Sequence, residues 1–211
     1  MKNKVTVLIA VVVGLVAILG CKLLSQIGKN AVANVSSTPL DQPSKTYSAE
    51  GKDWKSYDLA QTDIKIDFPG APVDQSPPLP ESYKAVFSAM RINAYTDHDL
   101  NVSATELVPT GKRKFEIKFL ADTSMTSLKR QLPDLQYTLD VTSDTKARYN
   151  GTFTRSGKPY ELHGCCLYKK TDPSRVWAVL TLYAKANGDA AQAAQRIIDS
   201  AVFKSATEDC K

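Results

Sequence analysis

The chain has 211 residues and a mass of 23.1 kDa, with 23% charged side chains and 43% from the AVILMFWYC set. Those fractions lie near globular averages, which excludes a wholly disordered chain, a collagen and a multi-span membrane protein. The formal charge is +5; residues 1–20 carry two of the 27 basic side chains and none of the 22 acidic ones, so the remainder is only +3 and gives no case for a nucleic-acid partner.

The chain opens on Met1-Lys2-Asn3-Lys4 and then runs uncharged from Val5 to Cys21, with Thr6 its one clearly polar side chain. Lys2 and Lys4 hold the amino end on the cytoplasmic side. The run is 17 residues, at the short limit for a membrane-spanning helix. Two readings remain open. Ile18-Leu19-Gly20-Cys21 resembles the bacterial lipobox, which implies cleavage before Cys21 and a diacylglycerol on its sulfur; Leu19 departs from the usual small or β-branched residue. The alternative is an uncleaved transmembrane helix over Val5–Leu24, with Lys22 snorkelling to the interface. Either one makes residues 1–24 a signal or anchor segment. Either one places the rest outside the cytoplasm, on the cell membrane or the outer membrane.

Residues 25–53 are rich in Ser, Lys, Gln, Asn, Thr and Ala, carry Pro39 and Pro43, and lack apolar periodicity. This is linker composition, and as a flexible coil the segment reaches about 30 Å. Trp54 and Tyr57 mark the return of large apolar side chains, so a single domain is expected over 54–204, with a tail at 205–211. About 155 residues suffice for one domain with its own core.

Within it, Ile64, Ile66 and Phe68 alternate with Lys65 and Asp67, which predicts a strand ended by Pro69-Gly70-Ala71-Pro72. A proline-bearing loop follows. Ser82–Tyr95 and Leu100–Val108 read as strands of a hairpin turned at Thr96-Asp97-His98-Asp99. Ile117, Ala121, Met125, Leu128 and Leu132 recur at helical spacing and predict a helix over 115–131, closed by Pro133. Tyr137, Leu139 and Val141 predict a short strand. Ala147–Arg155 and Pro159–Lys169 flank Ser156-Gly157, a two-residue hairpin turn. Arg175–Ala186 is the most apolar strand and is expected at the sheet centre. Asn187-Gly188-Asp189 caps a last helix whose stripe is Ala190, Ala194, Ile197, Ile198 and Ala201, and Phe203 is expected to plug the core where it ends. The fold class is therefore α+β: an antiparallel sheet of six to seven strands covered by helices.

Three elements together resemble a family: an aromatic near the domain start with a strand ending in Phe68-Pro69-Gly70-Ala71-Pro72, the turn Ser156-Gly157-Lys158-Pro159, and the Val176–Tyr183 strand leading to a final helix and Phe203. Their order is similar to the α/β/α sandwich of PsbP-like proteins and related bacterial extracytoplasmic domains, over residues 54–204. The resemblance implies an anchored or secreted binding or assembly factor without known catalysis. The metal ligands of some members have no match here, so none is carried over.

Candidate chemistry is sparse, and no cofactor or metal is expected. The two histidines are His98 and His163, and no H-E-x-x-H, Walker, Rossmann or G-x-S-x-G motif occurs. Ser143-Asp144-Thr145-Lys146 matches S-x-x-K between two strands, where the lysine is not one helical turn from the serine. His163 and Cys165 share one face of a strand, which raises a thiol-dependent enzyme as an alternative to a sheet residue beside a structural cysteine. With Cys21 acylated, one of Cys165 and Cys166 is a candidate disulfide partner for Cys210; three reduced thiols are the other reading. Lys112, Arg113, Lys114 and Lys118 are the densest basic cluster, either a contact for anionic headgroups or a solvated loop. The expected role is a non-catalytic domain at the membrane that binds a protein or envelope partner, with a purely structural spacer as a further alternative.

Overall fold

The computed structural model describes residues 46–59, 63–76, 78–79, 84, 87–110, 116–169 and 172–203. In chain order the elements are β1 (Lys55–Asp58), β2 (Ile64–Phe68), β3 (Val73–Asp74), β4 (Phe87–Asp97), β5 (Leu100–Pro109), α1 (Ile117–Gln131), β6 (Gln136–Ser143), β7 (Lys146–Arg155), β8 (Lys158–Lys169), β9 (Asp172–Ala184), α2 (Gly188–Ser200) and β10 (Val202–Phe203). They form an antiparallel seven-stranded sheet, ordered β3-β4-β5-β9-β8-β7-β6, and a small sheet, β1-β2-β10. The α+β sandwich expected from the sequence is therefore the observed architecture, with β9 at the centre of the large sheet.

The small sheet was not foreseen. β2 leaves the main sheet and pairs instead with β1 and β10, placing Phe203 opposite Ile64. β1, β3 and β10 span four, two and two residues. Such lengths hold no readable alternation.

Turn chemistry sets the hairpins. Ser156 and Gly157 both have positive φ, the conformation a two-residue turn between twisted strands requires. His98 has positive φ in the β4–β5 turn. The Asn187 side chain accepts a hydrogen bond from Ala190 N and caps α2.

Two cores lie on opposite faces of the large sheet. On one face α2 and β2 cover Leu100, Val102, Ala104, Cys165, Trp177, Val179 and Tyr183. On the other, α1 covers Ala147, Tyr149, Phe153, Leu162, Cys166, Leu180 and Leu182. Tyr149 lies across Gly164, where an added Cβ would meet its ring at 2.1 Å, so this position has room for glycine alone. The covers are diagonal: α2 and the small sheet sit over β5, β9 and part of β8 on one face, and α1 sits over β6, β7 and β8 on the other.

Tyr47, which composition puts in the linker, is buried in the α2-side core. Its backbone N donates to Asp99 Oδ1 at 2.6 Å, and Asn187 Nδ2 donates to its carbonyl and to Asp99. Lys52 pairs with Asp97 and lies over the Tyr47 ring, and Ala49 N donates to Asp189. Residues 47–52 thus strap the base of α2 to the β4–β5 hairpin through partners up to 140 positions away.

Candidate functional site

The expected site residues separate in space. Cys165 and Cys166 point into the two different cores, and both are buried. Burial pushes the Cys165 thiol up to about 11 and the Cys166 thiol to about 12, so neither is a thiolate at neutral pH. His163 does share a face with Cys165, but neither ring nitrogen engages the sulfur: Nε2 meets the Tyr183 hydroxyl and Nδ1 has no hydrogen-bond partner. Lys118 stands exposed in the first turn of α1, paired with Asp122 one turn on. Cys21, Cys210, Lys112, Arg113 and Lys114 lie outside the described residues.

The diagonal covering leaves the surface of β6 and β7 without a layer above it among the described residues, while β8 passes beneath α2 at Cys165 and Leu167. Strand register arranges it in rows. Gln136 pairs with Thr152, Thr152 with Glu161 and Glu161 with Tyr183. The next row is Thr138, Asn150, His163 and Thr181, and the third is Asp140, Arg148, Cys165 and Val179. Each row passes from exposed polar side chains on β6 and β7 to the covered core under α2. Alternation built this surface: every second residue of β7 is buried beneath α1 or within the sheet, and its neighbours Arg148, Asn150, Thr152 and Thr154 face away.

Two clusters border it. Arg148 donates to Asp199 at the end of α2, which also accepts from Gln195. Those bonds, from Gln195 and then Arg148, hold the Asp199 carboxyl below the usual range. On the other side Tyr183 donates to Glu161 at 2.8 Å, and its oxygen lies 2.9 Å from His163 Nε2. With its own proton directed to Glu161, the hydroxyl accepts from Nε2–H of His163. Burial lowers the His163 pKa against the opposing pull of Glu161. Burial, then the hydrogen bond to Glu161, raises that of Tyr183. Lys185 lies 3.7 Å from the second Glu161 oxygen.

Other polar groups are absorbed by the fold. Glu106 is fully buried on β5; its Oε2 accepts from Arg91 at 2.5 Å, and its Oε1 lies 3.5 Å from Arg175 Nε. A cleft of about 350 Å³ beside β3 is lined by Asp74, Ser76, Ser88, Met90, Arg91 and Asn93, among others. Asp74 and Ser76 already bond the backbone of Ser76 and Ile92, Ser88 bonds Val108, and Arg91 bonds Glu106. Among the described residues no three His, Cys, Asp or Glu side chains are grouped to hold a metal. None of their helices is long and apolar enough to cross a membrane.

No family model and no curated protein matches the chain. Two of the solved structures similar to it are these. One is the Ran-binding protein Mog1p of Saccharomyces cerevisiae, at 10% identity and a TM-score of 0.45, covering 74% of this chain and 98% of its own. The other is LpqN of Mycobacterium tuberculosis, described as involved in cell envelope biogenesis, at 15% identity and a TM-score of 0.41, covering 73% of this chain and 92% of its own. At those scores neither likeness bears on what this chain does.

The open surface was not foreseen from the sequence. Its signal was present as Gln136-x-Thr138-x-Asp140 and Arg148-x-Asn150-x-Thr152-x-Thr154, polar runs at period two on neighbouring strands.

Proposed function

We propose that the chain is a PsbP-like binding domain, non-catalytic, held outside the cytoplasm by its amino-terminal segment, and that the open half of its large sheet receives a protein partner of the envelope. The observation that carries this reading is that surface: polar, solvent-facing on β6 and β7, and bordered by α2. Its side chains offer donors and acceptors in fixed rows, with both charge signs, which favours a protein contact over a single small ligand. The buried, protonated thiols argue against the Cys165–His163 enzyme. Tethering confines the domain near the membrane and raises its effective concentration towards partners there. In this reading Lys118 and its basic neighbours face the anionic headgroups.

Capture from detergent-solubilised membranes with the full-length chain tests the surface. Replacing Asn150 and Thr152 with Arg is expected to abolish recovery of a stoichiometric protein without changing the melting temperature. Undiminished recovery contradicts the proposed surface, and no stoichiometric partner for the unaltered chain favours a spacer. The intact mass of the extracted protein tests the anchor. Loss of residues 1–20 with added acyl mass means a lipid on Cys21, and an unprocessed chain means a helix.

A further inference from the structure

The two edges of the large sheet are finished differently. At one edge β3 is two residues long, and beyond it Gln75 N donates to Ile92 O while Ser76 Oγ accepts from Ile92 N, so the rim of β4 is occupied. At the other edge β6 runs eight residues, Gln136–Ser143, and pairs only with β7 among the described strands. Natural edge strands are blunted by lysine, proline, bulges or shortness. β6 has no lysine or proline, its one irregularity falls at Val141–Ser143, and Val141 is 42% exposed.

We propose that β6 pairs antiparallel with β6 of a second copy of this chain, joining two large sheets into one. The sequence of the strand selects the register. A two-fold axis normal to the sheet keeps each face on its own side, so facing residues must share parity. Centring the pair on Asp140 sets two carboxylates against each other, which is unfavourable. Centring it on Thr138 leaves Val141 outside the strand pair. Centring it on Leu139 places Leu139 against itself, Tyr137 against Val141 and Thr138 against Asp140, short of the irregularity at Val141–Ser143. That register aligns apolar with apolar on the α1 face and polar with polar on the open face, and it covers Val141. It also makes the two open surfaces continuous, which goes beyond the single-copy surface proposed above.

The test uses the full-length chain in detergent micelles, with sedimentation velocity as the readout. The unaltered chain is expected to dimerise, and Val141→Lys, an exposed change, to weaken the dimer by about tenfold or more while the melting temperature holds. Under mild oxidation in membranes, Leu139→Cys is expected to add a homodimer cross-link absent from the unaltered chain. Thr138→Cys is expected not to, because diagonal positions exceed disulfide reach. A monomer at every concentration overturns the inference. So does a dimer that Val141→Lys leaves intact and that Thr138→Cys links as readily as Leu139→Cys. Either result with partner capture intact removes only the pairing and spares the single-copy surface.

Discussion

The two halves of the large sheet show the same strands under different cover. In the β4-β5-β9 half, α2 and the small sheet close one face so fully that Trp177, Val179 and Ile197 have no exposed area. Even an acid there, Glu106, is fully buried and held by two arginines. On β6 and β7 the same face carries exposed Asn150, Thr152 and Thr138, and only the opposite face is sealed, by α1. The difference teaches that stability and availability are divided across one sheet. Substitutions in the closed half should cost folding free energy, and those on the open face should cost binding.

The largest effect should come from the closed half. Trp177→Ala removes the largest fully buried side chain and is expected to cost about 3–5 kcal/mol in denaturant unfolding. Gly164→Ala tests the seal under α1: a Cβ at 2.1 Å from the Tyr149 ring forces overpacking, expected at about 1–3 kcal/mol. Asp99→Ala unpins the strap from Tyr47 N and Asn187 and is expected to cost about 1–2 kcal/mol. It should also speed proteolysis near residue 50.

At the border of the halves, His163 gives a pH effect. Its folded pKa lies below the usual 6.5, so the unfolded chain binds the proton first as pH falls. Stability is therefore full above about 6.5 and declines below it, towards the folded pKa. His163→Gln should flatten that decline in melting temperature between about pH 7.5 and about pH 5. A slope equal to that of the unaltered chain would remove His163 as its source. The smallest stability effect belongs to the open face, where Asn150→Ala should stay within about 0.5 kcal/mol.

Much of this division was legible in the sequence. Arg175–Ala186 announced the central strand by being the most apolar of the strands, and Asn187 announced the α2 cap. Ser156-Gly157 marked the β7–β8 turn, where both residues have positive φ. The strap and Glu106 were not legible, for physical reasons. Tyr47 looks like linker because its partners, Asp99 and Asn187, are 52 and 140 residues distant. The burial of Glu106 has no local mark because it depends on Arg91 and Arg175 from two other strands. The open surface escaped notice for a related cause: alternation shows that a strand has a polar face, and only the placement of α1 and α2 decides whether that face stays uncovered.

Site-directed photo-cross-linking in intact membranes tests the central claim most directly. A photoreactive residue at Asn150, on the open face, is compared with one at exposed Lys65 on β2 of the small sheet, over the closed half. The account predicts a discrete protein adduct from position 150 and none from position 65. Equal adducts from both, or an adduct from position 65 alone, would contradict it.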